Sequence, residues 1–231
     1  MAIITRQDKG SALSYIEMDN NLNELDKIPN GKVYPNTKGV GIKISGTTSD
    51  FGWHDIIGNV TAGQGTSTYQ TYIGGIKQAQ FAEGEDAFIG FHMPHDYLPN
   101  SPIFIHTHWS HNSSVVTGGT VTWAFETIYA KGHNQSAFEM PVIISVIQEV
   151  STTAHQHMIA ETVASTIGGS AGLLDTDKLE VDGIIQTRVY LDSNDIKTSN
   201  ATIVKPFIHF VDIHYQSTGL PTKNRAPNFW G

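Results

Sequence analysis

The chain has 231 residues, a formal net charge of −8 at pH 7, no cysteine and a mean hydropathy of −0.20. The lack of cysteine excludes disulfides and thiolate metal sites, and an acidic chain without a Lys/Arg cluster is a poor match for a nucleic-acid backbone, whose binding depends on releasing counterions. No run approaches the ~18 apolar residues of a membrane span, and no basic-then-apolar leader opens the chain, so neither membrane nor nucleic acid is expected as a partner.

Residues 10–28, GSALSYIEMDNNLNELDKI, predict a short amphipathic helix. Ser14 and Glu17 have capping-box spacing, in which each side chain satisfies a backbone N–H left free at the helix start. Leu13 before the cap and Met18 four residues after it have the spacing of a hydrophobic staple. Tyr15, Met18, Leu22 and Leu25 form one apolar stripe, and Pro29-Asn30-Gly31 stops the helix. A helix this short is marginal alone in water, so the stripe needs a partner. Leu13, Tyr15, Met18, Leu22 and Leu25 are therefore assigned to an oligomer or partner interface, and residues 1–30 to an anchoring and oligomerisation segment.

Residues 31–231 read as a β-sandwich body with an irregular C-terminal tail. Gly39 to Ile44 alternates like a strand, and the Gly/Ser/Thr-rich stretch from Ala62 to Gly75 reads as a long loop. Strands are predicted at Ala87 to Met93, Ile103 to Trp109, Thr120 to Ala130, Pro141 to Glu149, His157 to Val163, Ile184 to Leu191 and Phe207 to Tyr215. Turn residues separate them, including Gly118-Gly119 and Asp192-Ser193-Asn194-Asp195. The fold class is all-β: an antiparallel β-sandwich, jelly-roll-like, preceded by the short helix. Strict alternation puts Phe207, Val211, Ile213 and Tyr215 on one face around His209, with Ile208, Phe210, Asp212 and His214 on the other. Apolar residues on both faces of such strands favour packing against further subunits. The tail ends in Phe229 and Trp230, which are expected to seat in a groove of the body or of a neighbour.

Eleven histidines stand against fourteen Lys and Arg residues. His106 and His108 share a strand face, and His111 follows, making these three the metal candidates. An H-x-H strand is similar to the cupin motif, but Ser110, His111, Asn112 and Ser113 stand where that family has its Glu. Without that ligand, structural histidines are the preferred reading, and neither cofactor nor metal is expected. No G-x-S-x-G elbow and no phosphate loop is present, so no catalytic residue is assigned. Glu126, Asp212 and Glu161 remain as carboxylates that either pair for glycoside chemistry or bridge to cations such as Arg188.

The run Gly10-Ser11-Ala12-Leu13-Ser14-Tyr15-Ile16-Glu17-Met18-Asp19, with Asn21-Leu22 and Leu25, resembles the N-terminal segment of tailed-bacteriophage fibre, spike and appendage subunits. The stretches 91–114, 116–138 and 207–230 are similar to a β-rich virion-associated family of phage genomes. The resemblance implies a non-enzymatic virion structural protein, a head, neck or tail appendage, decoration or fibre subunit. The resemblance also implies assembly in the host cytoplasm as a homo-oligomer, a trimer as such appendages usually are, beside other virion proteins and in reach of a host surface glycan. The alternative from another class is a carbohydrate-binding or carbohydrate-cleaving module that uses histidines or loop carboxylates.

Overall fold

A computed structural model describes residues 34–35, 42–43, 52–58, 60–62, 68–165, 168, 174–219 and 221–229. The chain divides into two compact units, residues 1–52 and 53–231. In the first, β1 (Tyr34–Pro35) pairs antiparallel with β2 (Ile42–Lys43). The helix expected over residues 10–28 lies outside the described residues, as do Leu13, Tyr15, Met18, Leu22 and Leu25 of its interface stripe.

The second unit is an antiparallel β-sandwich, as the strand pattern predicts. Its strands are β3 (Gly52–Gly58), β4 (Thr61–Ala62), β5 (Thr68–Ile73), β6 (Ile76–Gln80), β7 (Asp86–His92), β8 (Ile103–Ser110), β9 (Val116–Ala130), β10 (Val142–Glu149), β11 (Met158–Glu161), β12 (Ile184–Thr198) and β13 (Phe207–Ser217). One sheet runs β10-β9-β12-β7-β4, and the other β11-β8-β13-β6-β5 with β3 added beside β13. The eight strands from β6 to β13 fall into the two four-stranded orders that define a jelly roll: β6-β13-β8-β11 in one sheet and β7-β12-β9-β10 in the other.

Alternation builds the core. Val121, Trp123, Phe125 and Tyr129 of β9 point inward with Ile185, Val189 and Leu191 of β12, facing Ile105, Trp109, Val211 and Ile213 from the opposite sheet. Trp109 and Trp123, both fully buried, meet edge-on at 5.9 Å between ring centroids, and Phe81 meets Trp123 at 5.6 Å. These edge-to-face contacts stagger large rings across the interface between sheets. The Trp109 indole N–H donates to Gln148 Oε1 at 2.5 Å, and Gln148 Nε2 donates to the Ile159 carbonyl at 2.6 Å, which ties β10 to β11 across the sandwich edge.

Local expectations are corrected at four places. The stretch read as a loop from Ala62 to Gly75 contains β5, which turns at Gly74 (φ +55°) into β6. Its polar composition fits an edge hairpin whose residues are mostly exposed, so the apolar alternation of a core strand is missing. Asp192 to Asp195 is not a turn: β12 continues through a register shift between Leu191 and Ser193, held by the N-terminal half of β9. In β13 a second shift between Ile208 and Phe210 breaks strict alternation. Ile208, Val211, Ile213 and Tyr215 therefore join the core, whereas Phe207 does not, although it is buried.

The turn expected at Gly118-Gly119 lies inside β9, where both glycines have positive φ. At Gly119 (φ +102°) a Cβ would fall 2.1 Å from the Asp195 carbonyl oxygen, whereas at Gly90 it would meet nothing within 4 Å. Gly119→Ala is expected to cost about 2–4 kcal/mol by combining backbone strain with a backbone clash, and Gly90→Ala to lie near zero. Urea midpoints of the two variants measure the difference.

Candidate functional site

Two outward faces of the sandwich concentrate polar and aromatic side chains. On the five-stranded sheet, Phe88 and Gly90 of β7, Gln186 and Arg188 of β12, and Glu126 and Ile128 of β9 line an open cleft of about 520 Å³ with Thr61 and Pro141. Register brings them together: Phe88 pairs with Arg188, Arg188 with Glu126, Gly90 with Gln186, and Gln186 with Ile128. Phe88 is 46% exposed, a large apolar ring offered to solvent. Arg188 donates from Nε to Asp86 Oδ2 at 2.7 Å and from Nη1 to Glu126 Oε2 at 2.9 Å, and its guanidinium carbon lies 4.5 Å from the Tyr190 ring centroid. The hydrogen bonds to Asp86 and Glu126 raise its pKa further above the ordinary arginine value. The guanidinium is thus held in place rather than swinging free. Of the two readings open for Glu126 in the sequence, the bridge to Arg188 is the one present.

On the other sheet, β8 presents His106 and His108 on its outer face, as their spacing predicts. Asp212 of β13 and Glu161 of β11 both pair in register with His106. His106 Nδ1 lies 3.4 Å from Asp212 Oδ1, and His108 Nε2 3.4 Å from Asp212 Oδ2. Glu161 Oε2 lies 2.8 Å from His106 Nε2 but off the axis of an N–H donor, so that nitrogen makes no hydrogen bond among the described residues. His108 Nδ1 shares a 2.8 Å hydrogen bond with His157 Nε2, whose ring is nearly parallel at a centroid distance of 4.9 Å, and Phe210 stacks on His108 at 4.0 Å. Burial, then the neighbouring His157 and His106, push His108 down to about 4, so it is neutral near pH 7. Burial lowers His209 as well, and raises the Asp212 carboxyl against the pull of His106. Asp212 and Glu161 were legible only as scattered carboxylates, because their meeting with His106 is a matter of strand pairing.

His111 does not belong to this group. Its Nε2 hydrogen-bonds the Ser151 carbonyl at 2.7 Å and its Nδ1 accepts from the Ser113 N–H at 3.3 Å, so backbone occupies both ring nitrogens. Phe229, expected to seat in a groove of the body or of a neighbour, is 2% exposed and sits against its own body, 5.9 Å from the His95 ring and 5.8 Å from the His133 ring. Trp230 lies outside the described residues.

Beneath Phe229, three histidines converge on Asp182. His133 Nε2 lies 2.8 Å from Oδ2, with His95 Nε2 at 2.9 Å and His92 Nε2 at 3.5 Å from Oδ1. Thr222 N–H donates to the His95 carbonyl at 3.0 Å, which fixes the tail alongside.

No family model matches the chain, and no curated protein matches it in sequence. Similar solved structures include a Paenibacillus sp. cycloisomaltooligosaccharide glucanotransferase complexed with cycloisomaltoheptaose (10% identity, 86% of this chain and 22% of that one, TM-score 0.33). Another is the CBM22-1–GH10 part of Clostridium thermocellum endo-1,4-β-D-xylanase 10B complexed with xylohexaose (14% identity, 75% of this chain and 28% of that one, TM-score 0.34). A third is TmCBM61 in complex with β-1,4-galactotriose (12% identity, 71% of this chain and 88% of that one, TM-score 0.27). The chain spans less than a third of the first two proteins' length. These neighbours are carbohydrate-binding modules and carbohydrate-active enzymes, with no virion protein among them, and the expectation of a virion structural role is withdrawn. At such low similarity they carry no argument for this chain, and the functional reading rests on the residues of the cleft.

The Asp182 cluster has a consequence for stability. Burial works to raise the Asp182 carboxyl, but the His133 hydrogen bond and the nearby His95 and His92 outweigh it and hold the group below its ordinary 3.8. A depressed carboxylate adds stability that is present above the unfolded-state value and lost as pH falls through the folded one. Asp182→Asn, which keeps a residue tolerant of the φ of +61° found here, is expected to melt below wild type at pH 6. The gap should close as the pH drops below the carboxylate range. Thermal melts from pH 2 to pH 7, on the order of one per pH unit, read this out.

Proposed function

We propose that the protein is a carbohydrate-binding β-sandwich that takes a neutral glycan chain into the cleft across its five-stranded sheet and does not cleave it. The observation that carries the reading is Gly90 beside exposed Phe88. Glycine inside a strand weakens it, and often marks a place where a ligand approaches the backbone closely. Here the missing side chain leaves the floor open between an aromatic ring and the polar groups of Gln186, Arg188 and Glu126. A pyranose has an apolar C–H face and a rim of hydroxyls. The first packs on an aromatic face, and the second meets planar side chains held at fixed angles, an apolar site with a few placed polar groups.

Charge supports a neutral ligand. The one guanidinium of the cleft is offset by Asp86 and Glu126, and the chain as a whole carries −8. The same bridging argues for binding without turnover, because the carboxylate lining the cleft is engaged by Arg188 rather than free to act as acid or nucleophile.

Affinity electrophoresis against soluble neutral polysaccharides (xylan, β-glucan, galactan and dextran) tests the proposal. Wild type should be retarded by at least one of them. Phe88→Ala should weaken that binding about tenfold or more, Phe88→Trp should retain it, and Gly90→Leu should abolish it by filling the floor. Reducing ends should not accumulate. Lack of retardation across the panel, or retardation untouched by both Phe88→Ala and Gly90→Leu, would overturn the assignment.

A further inference from the structure

We propose that His106, His108 and Asp212, on the sheet opposite the glycan cleft, form a binding site for one divalent transition cation of the zinc class. Their side chains are 8%, 10% and 5% exposed, so nine-tenths or more of each is buried. One potential ligand atom from each lies within 4.8 Å of the other two. His108 Nε2 and Asp212 Oδ1 are buried with no hydrogen-bond partner among the described residues, which is costly for polar atoms unless something else fills the role.

The separations suit a metal better than direct hydrogen bonding. Tetrahedral zinc with bonds of about 2.1 Å spaces its ligands about 3.4 Å apart. His106 Nδ1 lies that far from Asp212 Oδ1 and His108 Nε2 that far from Asp212 Oδ2, so each nitrogen faces one oxygen of the carboxylate. The distance is long for a hydrogen bond between such groups.

The second nitrogen of each imidazole also has a polar neighbour close by. A ligating histidine commonly offers its second nitrogen to a carboxylate or another acceptor, which fixes ring orientation. Glu161 lies 2.8 Å from His106 Nε2, and His157 hydrogen-bonds His108 Nδ1 at 2.8 Å. His106 and His108 through those inner nitrogens, with Asp212, supply two nitrogens and one carboxylate, a donor set that suits zinc, iron, nickel or copper over calcium or magnesium. Glu161 and His157 are positioning residues. The acidic partner missing from the sequence around His108 thus arrives from β13.

The test uses the full-length protein stripped with chelator, then titrated with Zn2+ against a chromophoric competitor. Wild type should bind one equivalent and gain melting temperature. His108→Ala should weaken binding roughly 100-fold or more, and Glu161→Gln roughly tenfold. His133→Ala, which alters the Asp182 cluster instead, should bind like wild type. Because His108 is buried and its replacement risks misfolding, Co2+ added to wild type provides a second readout: visible d–d absorption of a low-coordinate nitrogen/oxygen site, displaced by one equivalent of Zn2+. Failure of wild type to bind a stoichiometric equivalent overturns the proposal. So does full affinity in folded His108→Ala, or loss of binding in His133→Ala. Glycan binding through Phe88 is measured separately and is indifferent to each of these outcomes.

Discussion

A single extra residue in β13 sets the chemistry of the outer face of its sheet. Because side chains alternate with period two, a slip of one residue sends every later side chain to the opposite face. The shift between Ile208 and Phe210 lets Ile208 point inward and then, after the irregularity, Val211 and Ile213 as well. Without it, Asp212 would be driven into a core of tryptophan and isoleucine, and Val211 and Ile213 would face out. With it, Asp212 stands opposite His106 and Phe210 opposite His108. The bulge residue itself, His209, is placed against Ser110 and Tyr72, its Nε2 lying 2.8 Å from Ser110 Oγ.

The dry interior maintains that arrangement and separates the two faces. Packed sheets lie about 10 Å apart, and this space is filled by Trp109, Trp123, Phe125 and their neighbours. The outer face of one sheet is an open cleft with a glycine floor. The other carries a dense group of imidazoles and carboxylates whose partners are largely each other. An extended chain suits the first, where hydroxyls can exchange water for Arg188, Gln186 and Glu126. The proposed cation would sit among the buried His106, His108 and Asp212 of the second. The jelly roll allows both because each strand shows one face to the core and leaves the other free to vary.

The Asp182 cluster plays another part. By gathering His92, His95 and His133 around one carboxylate and seating Phe229 on two of the rings, it secures the C-terminal tail along the body. Phe229 is thereby buried within its own chain.

Strand positions were largely legible because burial leaves a period-two trace: the inward set of β9, Val121, Trp123, Phe125 and Tyr129, can be read directly from residue order. So can the shared face of His106 and His108. The hairpin of β5 and β6 escaped because an exposed edge imposes no apolar alternation. His111 was misplaced because adjacency in sequence says nothing about which backbone carbonyl a ring nitrogen meets. The joining of His106 with Asp212 and Glu161, and of Phe88 with Arg188 and Glu126, spans tens of residues and depends on register and on a bulge. Residue order determined the fold class and the face of each histidine, since both follow from the local geometry of a strand. Tertiary structure alone decided which acids those histidines meet and where the chain leaves a glycine-floored cleft, since pairing between distant strands is fixed by packing of the whole core.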